Sequence, residues 1–117
     1  MRALLVAVAL TVAAPTPVHQ RDPWPRLVRC ETGGTMNWRI VSRSGRYRGG
    51  IQADAGFWRT YGGWAFAPFA DKASPTQQIT VAIRARDGWP VAPDPAARRS
   101  RRYSPWPTCA RQLGLPR

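Results

Sequence analysis

The chain has 117 residues, which allows a single domain, and Lys and Arg outnumber Asp and Glu by 18 to 6, giving a formal net charge of +12. With two cysteines and one histidine it cannot assemble a zinc set, and no metal or other cofactor is expected. A protein this basic adheres to polyanions such as wall polymers, acidic phospholipids or nucleic acid.

Arg2 and the apolar run ALLVAVALTVAA, from Ala3 to Ala14, open the chain. The run is too short to cross a bilayer comfortably and fits a signal-peptide core, so residues 1–20 are expected to be an export leader cut near residue 13 or 14, or later. A short buried helix is the alternative. Without the leader roughly 100 residues remain, enough for a thin core. His19 sits at the leader's edge, so the mature chain has no histidine for a nucleophilic triad. In an exported chain Cys30 and Cys109 read as one disulfide, worth roughly 4–5 kcal/mol in the chain-entropy model. Free thiols or an intermolecular bridge are the alternatives.

Asp22 and Pro23 predict a helix start, and Trp24, Leu27, Val28 and Glu31 then follow at i, i+3, i+4 and i+7 on one face. Gly33 and Gly34 stop that helix. From Asn37 to Gln52 the Ser44-Gly45 pair between two extended pieces predicts an irregular hairpin. Asp54 is placed to cap a helix carrying Phe57, Trp58 and Tyr61, which Gly62 and Gly63 end. The stretch WAFAPFADKA predicts a loop or broken turn. Ser74-Pro75-Thr76-Gln77 is a helix opening, and Ile79, Ala82, Ile83 and Arg86 continue on one face until Gly88. Residues 89–105 are rich in proline and arginine and read as a long basic loop, WPTC anchors the end, and 110–117 read as a short tail. The expected architecture is mainly α, with a small extended element.

Asp22 and Asp54 are explained as helix starts, Asp87 as a helix end, and Asp71 and Asp94 as solvated loop charges. Glu31 is the only glutamate. A carboxylate at a helix C-terminus meets the negative end of the dipole, and burial near Trp24 and Trp38 would raise its pKa further. Such a group stays protonated toward neutral pH, as a general acid for glycosidic cleavage must.

The ordered string WPRLVRCETGG, NW, YRGGIQ, FWRTYGG, APFAD, QQITVA, GW and WPTC, from about Trp24 to Cys109, resembles the catalytic domain of the resuscitation-promoting factors. These are secreted actinobacterial peptidoglycan-cleaving proteins of compact lysozyme-like, lytic-transglycosylase-like fold. The resemblance makes residues 21–109 the catalytic domain, Glu31 the catalytic acid/base, and Cys30–Cys109 the disulfide. It places Asn37, Trp38, Ser42, Tyr47 and Gln52 along the sugar groove. It also implies lytic transglycosylation or hydrolysis of the bond between N-acetylmuramic acid and N-acetylglucosamine, in a monomer working at the cell wall, with a second wall hydrolase as a candidate partner. No specific nucleic acid is expected. Thr35 and Met36 are additions to the family pattern, Arg48 replaces a usual tyrosine, and Ala53 a usual phenylalanine. The longer basic loop carries Arg98, Arg99, Arg101 and Arg102, which suit anionic wall polymers. A non-catalytic wall-binding protein on the same scaffold is the rival reading.

Overall fold

The computed structural model describes residues 3–9, 23–89 and 103–117. The leader's core from residue 10 on, Asp22, Asp94 and the arginines of the basic loop lie outside these. Residues 3–9 form neither helix nor strand, and Leu4, Leu5, Val6 and Val8 are exposed. Among the described residues no helix is long and apolar enough to cross a membrane.

The first helix, α1, runs Trp24–Glu31 and follows Pro23. Trp24, Leu27 and Val28 form its buried stripe, as their spacing predicts. Its end is built by Gly33 and Gly34, both at positive φ (61° and 90°), whose N–H groups return to the Cys30 and Arg29 carbonyls at 3.1 and 2.7 Å. A Cβ at either glycine would meet nothing within 4 Å, so backbone freedom, and not space, is what glycine supplies there.

The predicted hairpin shrinks to two isolated antiparallel bridges, Val41 with Arg48 and Arg48 with Ala53. The chain reverses twice in quick succession, at Gly45 (φ 74°) and again between Gly49 and Gln52 (φ 76° and 50°). Arg48 is therefore paired on both sides, exchanging both backbone hydrogen bonds with Ala53 at 3.0 and 2.9 Å, and no strand extends beyond it.

Helix α2, Ala55–Thr60, is capped by the Asp54 carboxylate, which accepts from the Phe57 N–H at 2.7 Å. It buries Trp58, whose indole N–H donates to the Ala67 carbonyl at 2.8 Å. Short 3₁₀ turns at Gly63–Ala65 and Ala70–Lys72 carry the chain to α3, Pro75–Asp87. Ser74 and Gln77 close a reciprocal capping box at its start, and Gly88 at φ 82° ends it.

The buried stripe of α3 matches the predicted one only in part: Ala82 is buried and Ile79 and Ile83 pack against the core, but the most buried side is turned toward Gln78. Gln78, Val81 and Ala82 are buried, while Ile79, Ile83 and Arg86 are only half-buried. Gln78 decides the rotation. Fully buried, it accepts from the Gly50 N–H at 2.8 Å and donates to the Trp38 and Ala73 carbonyls at 2.9 and 3.1 Å. It thereby ties α3 to the segment after α1. Gln78→Leu would leave these backbone groups unpaired, and an orphaned buried group costs about 1–3 kcal/mol. Urea unfolding of the variant is expected to show a loss of at least about 2 kcal/mol at unchanged m-value.

Helix α4, Pro107–Gln112, buries Cys109 and Ala110 and is bonded to α1 through Cys30–Cys109. Trp106 donates its indole N–H to the Ile51 carbonyl at 2.8 Å, and the Trp24 ring packs 5.3 and 5.4 Å from the Tyr103 and Trp106 rings. Residues 110–117, expected as a tail, first complete α4. Leu113 and Leu115 then pack on the core, and the Pro116 carbonyl accepts from the Tyr103 N–H at 2.7 Å. The described fold is mainly helical and poor in strand, as expected.

Candidate functional site

Glu31 is the last residue of α1, and its backbone is fixed on both sides. Before it, Cys30 is bonded to Cys109. After it, the buried Thr32 donates its hydroxyl to the Val28 carbonyl at 2.8 Å. The same hydroxyl oxygen accepts from the Met36 N–H at 3.0 Å, and the Thr35 hydroxyl donates back to the Thr32 carbonyl at 2.9 Å. Thr35 and Met36 are thus wound into one further hydrogen-bonded turn, with Met36 packed against the core, and they leave the helix end intact.

The Glu31 side chain is half-buried and, among the described residues, receives no hydrogen bond and faces no ion-pair partner. Burial pushes its carboxyl above the ordinary value. The helix terminus acts in the same direction. The group therefore holds its proton to higher pH than a solvated glutamate does.

Asn37 and Trp38 lie on one open hollow of about 800 Å³, with Arg39, Asp71, Lys72 and Ser74 on its other walls. The Asn37 Oδ1 accepts from the Arg39 N–H at 3.0 Å, which leaves its amide hydrogens without a partner among the described residues. Trp38 is half-buried and lies against Gly50, where an added Cβ would sit 2.9 Å from the ring's Cζ3 and closer still to its Cε3. Ser42 and Tyr47 share a turn and do not line this hollow. The Ser42 hydroxyl accepts from the Tyr47 N–H at 3.0 Å, so it closes the turn, and the Tyr47 ring is exposed with Arg46 over it. Gln52, at positive φ, spends its amide on the Gly49 carbonyl at 2.9 Å and keeps its Oε1 free of partners among the described residues.

Sequence reasoning misjudged Asp71 and missed Gln78. Asp71 is no solvated loop charge: its side chain is 6% exposed, and Arg48 Nη1 lies 3.4 Å from its Oδ1. The Arg48 guanidinium also stands 4.3 Å over the Phe69 ring. The Arg48 side chain is thus held by an acid and an aromatic ring. Gln78 had a legible signal in its i, i+3, i+4 spacing with Val81 and Ala82; Asp71 had none, because its partner lies 23 residues away. Among the described residues no group of His, Cys, Asp and Glu could hold a metal ion.

Residues 18–93 match the family model described as a transglycosylase-like domain. The chain belongs to that family. It is 40% identical over 110 residues to a resuscitation-promoting factor of Corynebacterium glutamicum, covering 92% of this chain and 48% of the relative. A resuscitation-promoting factor of Mycolicibacterium smegmatis is 35% identical over 100 residues, covering 84% of this chain and 23% of that one. One from Micrococcus luteus is 30% identical over 109 residues, covering 93% and 41%. The resemblance to the resuscitation-promoting factors therefore holds across most of this transglycosylase-like chain, which spans half or less of the length of these relatives.

Proposed function

We propose that this transglycosylase-like chain is an exported enzyme that cleaves peptidoglycan between N-acetylmuramic acid and N-acetylglucosamine, with Glu31 as general acid and then base. The observation that carries the proposal is Glu31 itself: a half-buried carboxyl of raised proton affinity, at a helix end fixed by a disulfide. The apolar run at the N-terminus, exposed over residues 3–9, supports export. Asn37 and Trp38 contact the sugar directly, the ring by stacking and the amide by donating. Gln52 offers its Oε1, Tyr47 its exposed ring, and Ser42 shapes the turn that presents Tyr47.

A glycosidase that works through two carboxylates needs the second free to act. Among the described residues Asp54 caps α2, Asp71 is held by Arg48 and Asp87 by Arg86, and this favours the single-acid route. Glu31 gives its proton to the glycosidic oxygen as the bond from muramic C1 breaks, and N-acetylglucosamine leaves with a new 4-hydroxyl. The muramic 6-hydroxyl oxygen then bonds to C1, and its proton returns to Glu31. No water is consumed, and the product carries a 1,6-anhydro end. Mass spectrometry of digested walls is expected to show anhydro-muramic ends. Ends one water heavier would make the enzyme a hydrolase, and binding to walls with release of neither would make it a non-catalytic wall protein.

A further inference from the structure

We propose that the hollow beside Trp38 is a subsite for the carboxylates of the peptide stem that hangs from muramic acid. The inference rests on peptidoglycan being the substrate and names the part of it that this surface reads.

The walls of the hollow carry two chemistries side by side. One is suited to sugar: the Trp38 ring, fixed by Gly50 against it and by Gln78, which donates to its carbonyl, together with the unpartnered amide hydrogens of Asn37. The other is an excess of positive charge. Arg39 is exposed and has no acidic partner among the described residues. Lys72, the only lysine of the chain, is 65% exposed and 4.0 Å from Asp71. Asp71 cannot neutralise both of its cations: Arg48 lies 3.4 Å from its Oδ1, so Lys72 is only partly compensated at Oδ2. Arg39, Lys72 and Arg48 thus stand against a single acid, and the two exposed cations are left to a ligand.

A glycan strand without stems keeps one lactyl carboxylate on each muramic acid, fixed beside the ring, whereas a stem carries its carboxylates out from the ring. A stem attached beside the sugar ring brings carboxylates within reach of the same hollow, whose volume of about 800 Å³ lies within the usual size of a ligand site. Exposed charge pairs are individually weak. Two of them acting on one ligand are worth roughly three- to tenfold in affinity at low salt.

The test is calorimetric binding to the full disulfide-bonded chain carrying Glu31→Gln, so that nothing is cleaved. The probes are a muramic-acid-containing tetrasaccharide with its peptide stems, the same tetrasaccharide with its stem carboxylates amidated, and inorganic polyphosphate. The probe with free stem carboxylates is expected to bind roughly three- to tenfold more tightly than the amidated one, with an advantage that shrinks above about 0.1 M salt. Adding Arg39→Glu and Lys72→Glu together is expected to bring that ratio to about one, and the milder Arg39→Gln with Lys72→Gln to lower it in the same sense. Equal affinity of the parent for the two saccharides overturns the stem subsite alone. So does a charge-reversed protein that weakens both equally, or one altered only in its affinity for polyphosphate, which would assign these cations to wall phosphate. Binding of neither saccharide overturns the reading of the substrate itself.

Discussion

Glu31→Gln is expected to lower release of soluble fragments from purified peptidoglycan at least about a hundredfold, with no loss of folding. Glutamine keeps the shape of the side chain and removes only the transferable proton. No described hydrogen bond or ion pair depends on the carboxylate, so the substitution leaves no partner stranded. The effect on stability has a definite sign. Burial raises the Glu31 pKa in the folded chain above its unfolded value. Both states are protonated below the unfolded value, so the wild type is then at its full stability. It loses stability as pH rises from the unfolded toward the folded pKa, where the unfolded chain ionises more readily. The glutamine variant escapes that loss, and its melting temperature at neutral pH is expected to equal or exceed that of the wild type. The same raised pKa moves the alkaline limb of the wild-type rate to higher pH than a solvated glutamate would give, because the acid must be protonated to act. An inactive variant that melts well below the wild type would assign Glu31 a structural role instead.

Replacing both cysteines of the disulfide by serine is expected to lower the melting temperature by on the order of 20 °C. Cys30 and Cys109 are 79 residues apart, and a loop of that size corresponds to roughly 4–5 kcal/mol in the chain-entropy model. In a domain of about 100 residues each kcal/mol shifts the midpoint by roughly 4–8 °C. Small domains hold only about 5–15 kcal/mol in all, so this bond is a large share. It also joins α1 to α4 at the residue next to Glu31, so wall cleavage is expected to fall before global unfolding as temperature rises. Thermal circular dichroism beside a timed digestion assay checks both effects; a midpoint within a few degrees of the wild type would contradict the argument.

The helix boundaries were legible because they depend on residues three or four apart. Asp54 capping Phe57, Ser74 with Gln77, and Gly33-Gly34 turning back on Arg29 and Cys30 are all local contacts. The hairpin was legible only as a region of reversal, since positive φ at both Gly49 and Gln52 breaks the alternation on which strand patterns rest. The turn that absorbs Thr35 and Met36 was likewise hidden, because the Thr32 hydroxyl that organises it looks like any other threonine in a string of letters.

The placing of a lone glutamate at a helix end, beside one of only two cysteines, was determined by the sequence itself through spacing and elimination. Spacing could have set Gln78 beside Val81 and Ala82, but only the tertiary structure supplied the partners 28 and 40 residues away that make its amide a buried tie. It alone set Asp71 against Arg48 and left Lys72 and Arg39 facing the hollow. Burial and charge balance are properties of what the fold brings near, and local order along the chain does not contain them.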